Sequence, residues 1–340
     1  MVKLPALAGG AAVALTLAGG CTPTVQLAAP DKPITINLNV KIDQEVRVRI
    51  DKDLEDLIAQ NPDLGAYNTT NQQPVDFAVW QAADGTWQLW SCIRNTRCGG
   101  VTRLLHGWEG RRLADTNWAP RGITMEAMAE FGERTGGLQA PYVFRRDSEY
   151  VMFYGDWVHI CSATSTGGKC FTRRIREDRK TGMFGEGPND NARDPMVLFT
   201  RDRWHCYYTA HPNREGAVFC RTSSDLRTWS DPRRVAFGGE AGTHFTSAEC
   251  PFVVELTPGE YYLLRTQRYG ADAITRVYHS RDPLDFGVDN DGGHLVGTLP
   301  IAAPEIFPHE GHWYIASLLP TLNGIRLAKM EWVNSASASH

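Results

Sequence analysis

Three carboxylates in this chain have the type and spacing to act together. Asp76, Asp194 and Glu249 lie 118 and 55 residues apart, and each sits at the start of a short β run: Val75-Asp76-Phe77-Ala78-Val79-Trp80, Arg193-Asp194-Pro195-Met196-Val197-Leu198 and Glu249-Cys250-Pro251-Phe252-Val253-Val254. Like charges held close raise one another's pKa. A carboxyl raised in this way is a general acid near neutral pH, and an ionised one beside it is a nucleophile or a base. Hydrolysis of a glycosidic bond needs that combination: an acid to protonate the leaving oxygen, and a carboxylate to attack or to activate water. A third carboxylate tunes the acid and holds sugar hydroxyls.

Residues so far apart meet only if the chain repeats. Two further segments follow the same plan, Gln139-Ala140-Pro141-Tyr142-Val143-Phe144 and Ala303-Pro304-Glu305-Ile306-Phe307. Anchored on Phe77, Pro141, Pro195, Pro251 and Pro304, successive spacings are 64, 54, 56 and 53 residues. A second strand opens at Trp87, Tyr150, Trp204, Tyr261 and Trp313, after turn residues such as Asp84-Gly85 and Pro258-Gly259. A period of about 50 residues holding about four strands is a propeller blade. The expected fold is therefore all-β: a five-bladed β-propeller over residues 70–333, its ring closure removing free sheet edges. The first strand of each blade lines the central channel, so its opening residues face one mouth. Blade one presents Asp76 there, blade three Asp194 and blade four Glu249. Blade two offers Gln139-Ala140 and blade five Ala303, neither acidic.

Around the carboxylates, Arg193 is placed to pair with one of them or to bind hydroxyls. Trp80, Trp118 and Trp157 are candidate platforms for sugar rings, although aromatic residues in strands also serve packing. His244 precedes Glu249 by five residues and is a further candidate at the mouth. No cofactor is required by this chemistry and no metal ligand set is assigned. Asp289-Asn290-Asp291-Gly292 has part of a calcium-loop pattern without the later bidentate Glu, so a structural calcium is allowed but not indicated. With 35 Lys+Arg against 39 Asp+Glu the chain has no basic surplus, which argues against a nucleic-acid partner.

The remaining sequence says where the protein goes. Lys3 is followed by an apolar, small-residue run to Gly20, a secretion-signal pattern, and Leu17-Ala18-Gly19-Gly20-Cys21 resembles a bacterial lipobox with Cys21 as the lipidated residue. Ile34, Ile36, Leu38, Val40 and Ile42 alternate with polar residues, and Val46, Val48 and Ile50 resume the alternation, so the pattern is a one-sided β-strand. Asp51 is expected to cap a short helix with Leu54, Leu57 and Ile58 on one face, ending at Asn61-Pro62. A strand and a helix of this size need a partner, either the rest of the chain or another sheet edge. An oxidising compartment permits disulfides, and Cys92–Cys98, Cys161–Cys170 and Cys206–Cys220 are the local candidate pairs, leaving Cys250 over.

Two family resemblances overlie these readings. Residues 1–64, with Cys21-Thr22-Pro23, the Pro33 to Ile42 run and the acidic segment Asp51 to Ile58, look like the small YnbE-like lipoproteins of Gram-negative bacteria. That resemblance implies an outer-membrane lipoprotein, facing the periplasm or the cell surface, whose strand pairs with a periplasm-spanning, β-rich lipid-transport protein. The propeller resembles the five-bladed glycoside hydrolases of families 32, 43, 62 and 68. Arg193-Asp194-Pro195 matches the RDP motif of the invertase branch and Glu249-Cys250-Pro251 its EC motif, while that branch's W-M-N-D-P-N-G opening and C-terminal sandwich are not found. Carried over, the resemblance implies that Asp76 is the nucleophile or base, Asp194 the stabilising or pKa-tuning carboxylate and Glu249 the general acid. The implied substrate is a furanoside or pentose-type glycan: an arabinoside, xyloside or fructoside.

The organisation expected is a lipoprotein signal in 1–21, a YnbE-like segment in 22–65, the propeller in 70–333 and a disordered tail in 334–340. The function expected is an exported, lipid-anchored glycoside hydrolase acting on an oligo- or polysaccharide. Two other readings use the same sequence: a non-catalytic carbohydrate-binding propeller, and an envelope lipoprotein whose N-terminal strand docks to a lipid-transport bridge.

Overall fold

Period-two alternation and residues that tolerate left-handed backbone turn this chain into a series of hairpins. Arg201-Asp202 (φ 50° and 57°) and Glu310-Gly311 (φ 48° and 78°) each form the two-residue loop between paired strands, the φ > 0 geometry whose twist matches that of the strands. The computed structural model describes residues 46–50 and 56–334. Its strands form five sheets, the blades of a five-bladed β-propeller.

Blade one holds the strands Gln73–Gln81, Trp87–Arg94, Leu104–Gly110 and Ala119–Met125. Blade two begins with Gln139–Arg146, Glu149–Gly155 and Ile160–Ser165. Blade three runs Arg193–Thr200, Arg203–Ala210, Ala217–Ser223 and Arg233–Gly238. Blade four runs Glu249–Thr257, Glu260–Arg268, Ile274–Ser280 and Leu295–Leu299. Blade five runs Glu305–His309, His312–Leu318 and Gly324–Asn334. The five first strands contact one another in ring order, the last returning to the first. Aromatic residues pack between blades: Trp87 of blade one lies 5.7 Å from Phe307 of blade five, and Tyr142 of blade two 6.1 Å from Phe252 of blade four.

A non-glycine residue with positive φ lies near or just before the start of each first strand: Asp76 (42°), Ala140 (35°), Asp194 (55°), Cys250 (45°) and Ala303 (50°). In blades one to four the strand register shifts at this point. Such backbone costs about 1–3 kcal/mol per residue and clusters at functional sites. Here it recurs once per blade and turns two successive side chains toward the channel mouth. The mouth therefore has two layers: Val75, Gln139, Arg193 and Glu249 line the cavity above, Ala140, Asp194, Cys250 and Ala303 line the narrow channel below, and Asp76 borders both.

The N-terminal segment differs from expectation. Asp56–Gln60 is a strand, not a helix, and pairs antiparallel with Gly324–Asn334 from Asp56↔Leu327 to Gln60↔Gly324. On its other side the amides of Asn117 and Trp118 donate to the carbonyls of Leu57 and Ile58 at 2.9 and 2.8 Å. The open edge of the last blade and the outer strand of the first thus impose strand geometry on residues with ordinary helix propensity. Ile58 and Ala59 are buried. Val46–Ile50 pairs with the same C-terminal strand, from Val46↔Asn334 to Ile50↔Met330. The sheet partner of both strands is thus the chain's own last blade. The signal, Cys21, the Ile34–Ile42 alternation, the helix cap at Asp51, Leu54 and the end of the tail lie outside the described residues.

The three candidate disulfides are absent: Cys92, Cys98, Cys161, Cys170, Cys206 and Cys220 are free thiols. Register explains one case. Cys206 pairs with Arg221 and Cys220 with Tyr207, so the two sulfurs point to opposite faces of blade three and join different core clusters. The Cys92 thiol is buried against the Leu138 carbonyl, whereas that of Cys98 faces the Arg103 carbonyl. Cys161 is buried and Cys170 exposed.

Candidate active site

The layered mouth brings the three carboxylates together from three blades. Asp76, Asp194 and Glu249 are 7%, 4% and 9% exposed, a degree of burial that carboxylates sustain only with partners. A cavity of about 730 Å³ opens above them, and Asp76, Arg193 and Glu249 form its floor. That is the scale of a small-molecule site. Asp194 lies one layer deeper, where it lines the narrow channel with Asp76, Cys250 and Ala303.

Each carboxylate has different partners. Asp76 Oδ1 accepts from the Tyr269 hydroxyl at 2.9 Å and from the Cys250 thiol at 3.1 Å. Burial, then Asp194 and Asp76, push the Cys250 thiol well up, so it stays protonated and donates. Asp194 Oδ2 accepts from the Cys250 amide at 3.0 Å and lies 3.8 Å from Arg193 Nε, while its Oδ1 is buried without a partner. Glu249 takes a two-pronged grip from Arg193, Nε to Oε2 at 3.0 Å and Nη2 to Oε1 at 2.6 Å. The same guanidinium donates to the carbonyls of Asn191 and Phe245 at 3.0 and 3.2 Å.

These partners set the protons. Burial, then the charges of Asp76 and Glu249, push the Asp194 carboxyl well above the usual carboxylate range, and its unpartnered Oδ1 is a natural seat for the proton. Burial also pushes Glu249 up, but the attraction and hydrogen bonds of Arg193 win and hold it below its ordinary value. In the free site Asp194 is therefore the protonated member and Glu249 the ionised one, the reverse of a resting general acid at Glu249. A folded pKa above the unfolded value of about 3.9 means that the native state binds this proton more tightly. The stability Asp194 contributes is complete below about pH 4 and is lost as pH rises toward the folded pKa. Asp194→Asn keeps the shape without the titration. It should gain stability on the wild type as pH rises from 4 to 8. Urea unfolding at both pH values measures this, and a variant that does not gain contradicts the assignment.

The other residues expected at the site separate into two groups. Trp157 (φ 80°) lines the cavity, half-buried, with the Arg103 guanidinium 5.1 Å from its ring centre. Trp80 does not reach the cavity. It is buried in blade one with Nε1 donating to the Gly168 carbonyl at 2.8 Å and its ring edge-on to Trp90 and Phe171, both at 5.9 Å. Trp118 is likewise structural: it packs over Gly110, donates to the Asp115 carbonyl at 2.7 Å and borders a separate surface recess. His244 is exposed, bonded to Thr246 Oγ1 at 2.8 Å, and only its neighbours Phe245 and Thr246 line the cavity.

Sequence reasoning passed over Arg103, His211 and Tyr269. A topological signal was present. Trp157, His211 and Tyr269 each follow the second strand of their blade, and a strand antiparallel to the first ends where the first began. Oxygen and sulfur atoms of Asp76, Asp194 and Cys250 lie within 4.8 Å of one another, a spacing suited to a cation. The donor set fits poorly: the thiol is protonated, and both it and Tyr269 already donate to Asp76, so protons occupy the place of a metal there.

Comparison with known proteins adds the following. Residues 30–63 match the family model described as YnbE-like lipoprotein. The outer membrane lipoprotein YnbE of Escherichia coli K12 is 53% identical over 45 residues, which are 13% of this chain and 74% of that protein. Among solved structures, an endo-arabinase from Bacteroides thetaiotaomicron is similar with a TM-score of 0.59 at 13% identity, covering 81% of this chain and 99% of that one. A GH43 enzyme from Xanthomonas citri, complexed with xylotriose, is similar at 0.53 and 15%, covering 84% and 92%. A GH32 β-fructofuranosidase from Bombyx mori is similar at 0.55 and 16%, covering 84% of this chain and 64% of that one. At these identities the likeness is one of fold.

Proposed function

The chain belongs to the YnbE-like lipoprotein family through its N-terminal residues, and from that premise we propose an exported glycoside hydrolase, anchored by a lipid on Cys21 in the outer membrane of a bacterium. The observation that carries the hydrolase reading is the convergence of three carboxylates from three blades, Asp76 and Glu249 on the floor of one cavity and Asp194 in the narrow channel beneath it. The propeller fold shared with arabinanase, GH43 and GH32 structures supports the same reading and suggests an arabinoside, xyloside or fructoside.

Asp76 attacks the anomeric carbon or activates the water that does so. Glu249 faces the cavity and delivers the proton to the leaving oxygen. To do so it must first be released from the Arg193 fork. Sugar hydroxyls that accept from Arg193 supply that release, after which burial raises the Glu249 carboxyl and it takes up from solvent the proton that it then gives to the leaving oxygen. Asp194 stays protonated beneath the two and spares them a third negative charge.

A panel of aryl arabinofuranosides, xylosides and fructosides incubated with the full chain tests this. Turnover of at least one substrate class is expected. Binding of the glycans without turnover of any would place the protein among carbohydrate-binding propellers. The reading as a docking lipoprotein rests on residues 34–42, since Val46–Ile50 and Asp56–Gln60 are already paired within the chain.

A further inference from the structure

The cavity is lined by one more guanidinium than carboxyl group: Arg94, Arg103, Arg193 and Arg214 against Asp76, Asp190 and Glu249. Arg193 is neutralised by Glu249. Arg94, Arg103 and Arg214 also line the space, and among the described residues none of the three has a carboxylate within ion-pair distance. Arg94 is held by the neutral Gln73 amide, with Nε and Nη2 donating to Oε1 at 2.9 and 2.7 Å. Arg103 is only partly exposed, lies over Trp157, and has the Cys92 sulfur 3.8 Å from Nη1. Burial pushes that thiol up to about 11, so it supplies no counter-charge at neutral pH. Arg214 sits at the rim above Phe245. The charge of Asp76 reaches Arg103 from beyond ion-pair distance, so no carboxylate bonds the guanidinium, whose planar donors are suited to carboxylate or sulfate oxygens.

Two acceptors complete the pattern. Gln139 Oε1 and Asn191 Oδ1 are buried and unpartnered, and both residues line the same cavity. An acceptor is satisfied by a sugar hydroxyl, not by an anion. The site thus asks for a ligand with hydroxyl donors in one place and negative charge in another.

We infer that the cavity takes an acidic glycan, its sugar hydroxyls donating to Gln139 and Asn191 and its anionic group set against Arg103, with Arg94 and Arg214 adding to the field. This names a substrate class for the proposed hydrolase and rests on the cavity being the substrate site. The anion is a ring carboxylate or a sulfate ester, two forms of one recognition chemistry.

Calorimetric titration of the full chain tests it with three probes: a xylo-oligosaccharide bearing a glucuronate branch, its carboxyl-reduced counterpart, and a sulfated xylo-oligosaccharide of equal length. At least one anionic probe should bind about tenfold or more tighter than the reduced one, with the advantage shrinking as salt rises. Whichever anionic probe binds tighter identifies the group. In Arg103→Gln the ratio of acidic to reduced affinity should fall to about two or less, and Arg103→Lys should restore part of it. Arg214→Gln, at the exposed rim, should lower the same ratio about threefold even if the Arg103 variants fold poorly. Equal binding of all three probes overturns the inference, as does a wild-type preference that survives in both variants. Affinity is read without turnover. Acid-selective binding with no hydrolysis would therefore sink the hydrolase reading alone, and hydrolysis of neutral glycans without acid selectivity would sink this inference alone.

Discussion

Asp76→Asn should abolish hydrolysis and leave the propeller intact. The amide keeps an acceptor for the Tyr269 hydroxyl and the Cys250 thiol, which hold the carboxylate at 2.9 and 3.1 Å, so the side chain stays in place. It loses the charge that, in the proposed mechanism, attacks carbon or pulls a proton from water. Removing such a group lowers kcat/KM by on the order of 10³–10⁵. Steady-state rates on an aryl glycoside, with thermal unfolding as the control, measure the effect. A native-like variant that keeps more than about a tenth of the activity would remove Asp76 from the chemistry. Asp76 is the cleanest of the three to test, because Glu249→Gln also strips the buried Arg193 of its principal counter-charge, a change that costs about 3–5 kcal/mol in other buried pairs.

The second large effect falls on stability and lies far from the carboxylates. Asp56–Gln60 is joined to the last blade by strand pairing and to the first by the Asn117 and Trp118 amides. Ile58, at its centre, is fully buried. Ile58→Ala should cost about 2–5 kcal/mol. Deleting residues 1–60 should cost more, because it also bares the outer edge of Gly324–Asn334, an invitation to edge-to-edge association. Urea titration of Ile58→Ala and light scattering of the truncated chain read the two effects. A truncated propeller as stable and monomeric as the full chain would show that blade-to-blade packing closes the ring unaided. The lipoprotein segment thus has a structural task in the described protein: its last two strands finish the fifth blade.

That double use explains what the sequence concealed. Residues 51–60 have local signals for a helix, and Leu57 and Ile58 sit on one helical face as well as they sit in a strand. Only the edge offered by Gly324–Leu327, some 270 residues away, decides between them. Cys206 and Cys220 looked pairable because they lie close in sequence on one hairpin, yet a one-residue register offset sends them to opposite faces. Trp80 sits at the end of a first strand and Asp76 near its start, and the strand's length carries Trp80 away from the mouth. By contrast, the blades were legible because Phe77, Pro141, Pro195, Pro251 and Pro304 recur with strand openings and turns in step. The two layers of the mouth were half legible. The motif pairs Arg193-Asp194 and Glu249-Cys250 were visible, but their alternate depths follow from the positive φ at Asp194 and Cys250, which no residue type announces. The protonation order was hidden for the same reason, since it depends on Arg193 reaching Glu249 across a blade boundary while Asp194 stays beneath.

The account stands on Glu249 giving a proton to the leaving oxygen in a site shared with Asp76 and Asp194. The most direct test compares Glu249→Gln with wild type across substrates whose leaving groups differ in acidity. A leaving group as basic as a sugar needs the proton, and a dinitrophenolate does not. The account predicts a rate loss of about 10³-fold or more for the sugar leaving group and under about tenfold for the dinitrophenyl glycoside. An equal loss for both would mean that Glu249 only props the site through Arg193, and the acid would have to be sought elsewhere.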